Sequence, residues 1–166
     1  MLGVRNDATV PLNDIAALSA WAERYIADHQ RPDFHTGPED GHQLQRWWIV
    51  PRNPFRNVYL HRFLRSDDAR AIHDHPWDNE SFILSGCYIE HMADGSTLTR
   101  FTGDIVSRKA IEAHRVELID NEPVTTLFTT GPVIRNWGFY CPQGWRPWQE
   151  FVDVVDGGNL RGRGCG

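Results

Sequence analysis

The chain has 166 residues, 40% hydrophobic and 23% charged, which suits one globular domain with a core of its own. Its 17 basic and 22 acidic residues leave a net charge of −5, which argues against general affinity for nucleic acid or anionic membrane. No run approaches the roughly 18 to 20 apolar residues of a membrane span, and MLGVRNDATVPLND holds no apolar signal core. Cys87, Cys141 and Cys165 form no CxxC pair and read as reduced thiols, so the expected setting is the cytoplasm.

The first regular element comes from PLNDIAALSAWAERYIADHQ. Ile15, Leu18, Ala22, Tyr25 and Ile26 recur at helical spacing with Trp21 beside them, which predicts an amphipathic helix over residues 14–29, capped by Asn13 or Asp14. RPDFHTGPEDGHQ (31–43) carries Pro, Gly and charge and reads as a loop. From Leu44 the texture changes to short runs rich in Val, Ile, Thr and aromatics: LQRWWIV, NVYLHRFL, ESFILSGCYIEHM, STLTRF, DIVSR, AHRVELI, VTTLFTT, PVIRNWGFY and WQEFVDV. Turn residues such as PRNP, ADGS, TGD, DNEP and TGP separate them. This spacing predicts an all-β sandwich or barrel. The organisation expected is a helix and loop over residues 1–43, a barrel over 44–155 and a flexible Gly-rich tail over 156–166.

Within AIHDHPWDNESFILSG, His73 and His75 stand two apart. In a strand they face the same way while Asp74 faces the other, so the two imidazoles can converge on one point. Neutral imidazole suits Fe, Zn, Cu, Ni and Mn. In a chain with eight histidines, HxH alone arises easily by chance, and the pattern gains weight only from a partner elsewhere. His114, in the strand-like run AHRVELI, is that partner.

Taken together these residues resemble the cupin superfamily, small double-stranded β-helix (jelly-roll) barrels. The family's first motif runs HxH, three or four residues, Glu, six residues, Gly; its second runs Gly, five residues, Pro, x, Gly, two residues, His. Gly103 to His114 fits the second spacing, although Lys109 and Ile111 stand where Pro and Gly belong, which puts the shape of that loop in question. HDHPWD and WGFYCPQGWRPWQEF are similar to small cupin-like proteins of bacterial and phage genomes over residues 44–152, a likeness that implies the fold and no activity. The resemblance implies an all-β cupin barrel with the N-terminal helix packed outside, and His73, His75 and His114 as metal ligands on its inner wall. It also implies a divalent transition metal, Fe(II) first, with Zn, Mn, Ni or Cu as alternatives. A homodimer is plausible for such barrels. The competing reading is a barrel whose histidines only hydrogen-bond in the core.

The fourth position divides the motif. Counted forward from His75, Glu80 is the motif glutamate; counted back from Gly86, Asn79 takes its place. The two point to opposite faces of a regular strand, and only a bulge brings Glu80 round. Phe82-Ile83-Leu84-Ser85-Gly86 resembles the usual end of that strand and favours Asn79 beside a three-histidine site. Three neutral histidines leave a 2+ charge uncompensated and favour an anionic substrate; two histidines with a carboxylate are the facial arrangement of non-haem iron oxygenases.

Arg62 can clamp a substrate carboxylate if it faces inward, or be solvated or structurally paired if it does not. His61 beside it reads as a core or surface residue, or as a partner to a ligand. Trp137, Phe139, Tyr140, Trp145 and Trp148 read as core packing and a covered barrel end, or as a ligand wall. Cys87 reads as a small buried hydrophobe, and Glu90 and His91 as exposed. The function expected is an Fe(II) dioxygenase or oxygenase acting on a small polar or acidic molecule. A non-catalytic ligand-binding or sensing barrel and a metal-free sugar-nucleotide isomerase or epimerase are the alternatives.

Overall fold

The computed structural model describes residues 14–37, 42–152 and 162–166. Helix α1 (Ile15–Asp28) opens at Asp14, whose carboxylate accepts the amides of Ala16 at 2.9 Å and Ala17 at 3.2 Å. A cap of this kind contributes about 1 kcal/mol. The other expected cap, Asn13, lies outside the described residues. Leu18, Trp21, Ala22 and Tyr25 are buried on one face of the helix. They meet Trp47, Leu60 and Leu84 from the sheet beneath, so the helix packs on the outside of the β-structure.

The strands run β1 (Phe34–Thr36), β2 (Leu44–Trp48), β3 (Asn57–Phe63), β4 (Ile72–His73), β5 (Asn79–Ser85), β6 (Cys87–Met92) and β7 (Thr97–Phe101). They continue as β8 (Ile105–Arg108), β9 (His114–Leu118), β10 (Val124–Thr130), β11 (Gly138–Cys141) and β12 (Gly144–Pro147), before a short helix α2 (Trp148–Phe151). One six-stranded sheet has the order β1-β2-β3-β10-β5-β8, the other β12-β11-β4-β9-β6-β7. Neighbouring strands are antiparallel throughout. Ile83, Val106 and Val124 of the first sheet meet Tyr88, Val116 and Leu118 of the second, so the two inner faces close on a shared core.

Alternation along β3 sorts its side chains. Leu60 joins the core under α1, whereas His61 stacks with Tyr59 and Phe128 and meets Phe63 edge-on on the inner face. The turn from β5 to β6 needs Gly86: its φ is +86°, and a Cβ there would lie 2.8 Å from the Pro123 carbonyl oxygen.

Several expectations need correction. WQEFVDV, expected as a strand, holds α2, because Trp148 and Phe151 lie one helical turn apart and enter the same aromatic cluster. Trp148 stacks on Trp137 at 5.8 Å between ring centres and Phe151 on Phe139 at 3.7 Å. PVIRNWGFY is a strand only from Gly138, and the expected loop 31–43 contains edge strand β1. The end of the Gly-rich tail, expected to be free, is docked: Gly164 donates its amide to the Phe151 carbonyl at 2.9 Å and Arg70 reaches the Gly162 carbonyl at 3.1 Å. Residues 156–161 of that tail lie outside the described residues.

Docking also overturns the reading of three reduced thiols. Cys141 and Cys165 form a disulfide, and Cys87 remains free. The partners are 24 residues apart in the chain, and only the return of the tail over α2 brings them together. The cysteines therefore no longer support the expected cytoplasmic setting. Among the described residues, no helix is long and apolar enough to cross a membrane.

Thiol titration of the denatured, unreduced protein should accordingly find Cys87 alone reactive; three reactive thiols would remove the disulfide. Cys165→Ser should lower unfolding stability by roughly 3 kcal/mol in urea melts, because the unfolded chain regains the entropy of the open loop.

Candidate metal centre

His73 ends β4, pairs with His114 on β9, and is flanked on the other side by Phe139 of β11. His75 follows two residues later and donates its amide to the Ala110 carbonyl at 2.9 Å. Asp74, between them, points the opposite way and is fully buried. Its carboxylate accepts the Gly138 amide at 2.8 Å and the Trp145 indole at 3.0 Å and pairs with Arg135, so it pins the chain on the far side of the histidines.

The ligand atoms of His73, His75 and His114 all lie within 4.8 Å of one another. Nε2 of His75 is 2.9 Å from Nε2 of His114. Two nitrogens each about 2.1 Å from one ion and at right angles around it would be about 3.0 Å apart, so this pair is spaced as neighbouring ligands. Nδ1 of His114 lies 2.7 Å from Oε1 of Glu90. With that nitrogen donating to the carboxylate, the tautomer assigned to His114 leaves Nε2 with its lone pair aimed into the cluster. Burial, partly offset by Asp67, lowers the pKa of His73 to about 4. Burial and the neighbouring histidines and arginines put that of His75 well below the usual imidazole range. Both rings are neutral at neutral pH and can offer a lone pair. The donor set fits a borderline transition metal.

Glu90, expected to be exposed, is completely buried. Strand alternation on β6 turns Tyr88 and Glu90 inward. Arg108 Nε donates to its Oε1 at 2.6 Å and Arg100 Nε to its Oε2 at 2.8 Å. Burial by itself would raise the carboxyl's pKa, but the bond from His114 and the charge of Arg108 outweigh it and hold the value at about 2. Sequence inspection passes over this residue because IEHM shows no spacing relation to His114. The connection exists only across the β6–β9 ladder, where Met92 lies opposite His114 and Glu90 opposite Val116.

The remaining candidates separate cleanly. Asn79 is buried, while Glu80 on the other face of β5 is exposed and accepts a hydrogen bond from Ser107 at 2.9 Å. β5 does contain an irregularity, but it falls where Thr125 and Thr126 pair with Ser85 and Ile83, beyond the regular stretch from Asn79 to Ile83. No bulge brings Glu80 round. Arg62 faces α1 and pairs with Glu23 at 3.4 Å, so it is not an inward clamp.

Two residues not singled out from the sequence hold the histidines in place. Trp77 stacks on His75 with centroids 5.0 Å apart and meets Phe128 edge-on at 5.5 Å. Asp78 accepts the Ala110 amide at 2.8 Å and Lys109 Nζ at 3.0 Å. The Ala110 peptide is thus held at both ends, by Asp78 and by the His75 amide, which joins the two histidine motifs without the Pro and Gly of the family pattern. An open depression of about 590 Å³ lies beside this loop, lined by Phe55, Glu80 and Lys109 among others, but none of the three histidines borders it.

Neither a family model nor a curated protein matches the chain. Among solved structures, a cupin-like protein of Thermotoga maritima superposes with a TM-score of 0.51 at 14% identity, covering 66% of this chain and 84% of that one. The fold is that of a cupin. A double-stranded β-helix protein of Klebsiella pneumoniae gives 0.49 at 19% identity, over 63% of this chain and 90% of its own. A cupin superfamily protein of Desulfitobacterium hafniense gives 0.45 at 14% identity, over 54% and 78%. At these identities the likeness concerns the barrel alone. Within this cupin barrel, His73, His114 and Glu90 come from the second sheet, β4 to β9 to β6, and His75 from the residues just after β4.

Removing Glu90's charge tests that arrangement. Glu90→Gln should cost about 3 kcal/mol in urea unfolding, since it leaves buried arginines without their counter-charge. It should weaken zinc binding, followed by competition with a chromophoric chelator, by roughly tenfold or more. Arg62→Ala should change stability by less than about 1 kcal/mol and leave zinc binding unaltered.

Proposed function

We propose that this chain is a metal-dependent cupin enzyme, in which His73, His75 and His114 hold Fe(II) and the reaction is an oxygenation of a small acidic molecule. The observation that supports it is the convergence of three imidazoles with no carboxylate among them. Glu90 does not supply a negative charge to the centre, because Arg100 and Arg108 already outnumber it. A 2+ ion on three neutral ligands keeps its charge and favours an anionic substrate.

A bound ferrous ion would supply the redox chemistry that couples dioxygen to an organic molecule. The chain's own residues supply position and surroundings. Glu90 holds the His114 proton on Nδ1, and Trp77 fixes the plane of His75 by stacking. Phe139 and Trp137 lie 5.7 and 6.2 Å from the His73 ring and give that side of the centre an apolar wall. Asn79, facing inward near the start of β5, offers a neutral amide where the family pattern has a glutamate; its Oδ1 has no hydrogen-bond partner.

Elemental analysis of protein loaded anaerobically with Fe(II) should give about one metal per chain, and His114→Ala should lose it. Oxygen uptake against a panel of small carboxylates and thiols then separates turnover from binding: uptake supports the oxygenase, and a metal-loaded protein that consumes none with the whole panel is a binding module. Absence of stoichiometric metal, or equal loading of His114→Ala, sinks the metal reading.

A further inference from the structure

Arg46 occupies a different place from the arginine that the sequence pointed to. It lies on β2 opposite His61 of β3, and His61 lies opposite Thr126 of β10. His61 faces the interior, so these three residues form one row across three strands of the inner face, with neighbouring Cβ atoms about 5 Å apart. Trp47, the next residue along β2, is buried under α1 on the opposite face.

Every side chain in this row can donate a hydrogen bond. Arg46 Nε–H donates to Nε2 of His61 at 2.7 Å. That bond requires Nε2 to be the acceptor, so the neutral His61 ring carries its proton on Nδ1. Nδ1 is buried and has no partner, and neither does Oγ1 of Thr126. His61 is 3% exposed and Thr126 1%, so both lie away from bulk solvent. Among the described residues, no carboxylate pairs with Arg46; its guanidinium instead lies over the rings of Phe34 and Tyr59, at 5.3 and 4.8 Å. Burial lowers its pKa to about 10, which leaves it charged. The same burial and the charge of Arg46 keep His61 neutral, with its pKa well below the usual value.

A guanidinium that no carboxylate pairs with among the described residues, beside an imidazole N–H and a hydroxyl that both lack partners, suits an oxyanion. We propose that Arg46, His61 and Thr126 form a carboxylate-binding subsite on the inner wall of the barrel. Phe128 stands between the subsite and the histidine cluster, with its ring 4.7 Å from His61 and 6.5 Å from His75. A carboxylate held at Arg46 therefore directs the rest of a small molecule past one aromatic ring towards the histidines. That last step rests on the metal reading; the subsite does not.

The test uses the full chain stripped of metal by chelator, with acetate as probe and acetamide as its neutral match. Acetate should bind saturably and shift the ¹⁵N resonances of the His61 ring, and acetamide should do neither. Arg46→Gln should weaken acetate binding by roughly tenfold or more, and Arg62→Gln should bind as the parent does. Should Arg46→Gln fail to fold, Arg46→Lys keeps the charge without the planar fork and should still bind acetate several-fold more weakly. Thr126→Val gives a readout that a packing role would not: stability in urea unchanged or raised, with acetate weakened about fivefold. Equal binding of acetate and acetamide, no binding of acetate, or undiminished binding by the Arg46 variants overturns the proposal. Because no metal is present, failure here leaves the three-histidine reading standing, and failure to load metal leaves this subsite standing.

Discussion

A carboxylate with no exposure at all must be matched by donors, and in this barrel Glu90 is matched by His114, Arg108 and Arg100. These bonds tie β6 to its neighbours β9 and β7 and reach across the barrel to β8, the edge strand of the opposite sheet. They also set the tautomer of one histidine in the cluster. The same four side chains are thus both a structural clasp between the sheets and the support of the candidate metal centre. Breaking the clasp would leave two arginines without the acid that partners them, in an interior that already contains a third, Arg46, which no carboxylate pairs with among the described residues.

The alternation of side chains along a strand settles most of the remaining choices. On β3 it sends His61 inward and Arg62 to the helix; on β5 it sends Asn79 inward and Glu80 to solvent. On β4 and the residues that follow, it separates His73 and His75 from Asp74. In each case adjacent residues with related chemistry receive opposite roles. The outcome is an inner wall with three converging imidazoles at one place and the Arg46 guanidinium at another, connected through His61, Phe128 and Trp77 by ring contacts.

Much of this was legible in the chain. The helical spacing of Leu18, Ala22 and Tyr25 and the turn-punctuated β runs from Leu44 correspond to α1 and to most of the strands. Local periodicity carries that information because each element needs one continuous face to bury. The histidine trio was legible through spacing, and the count back from Gly86 pointed to Asn79 as the inward residue. Trp148 and Phe151 resemble strand residues in sequence because a four-residue segment carries no clear period until its neighbours, Trp137 and Phe139, are in place.

The sequence by itself determined the all-β class, the flanking helix and the residue types able to meet a metal, because periodicity and motif spacing are properties of the local chain. Only the tertiary structure decided which charges face inward and what they meet. Glu90 and His114 are 24 residues apart, Arg46 and His61 are 15 apart, and Cys141 and Cys165 are 24 apart. None of these pairs leaves a periodic trace, since their contact depends on ladder register and on the return of the tail. The physical reason is that burial makes a polar group's partner obligatory without saying where along the chain that partner lies.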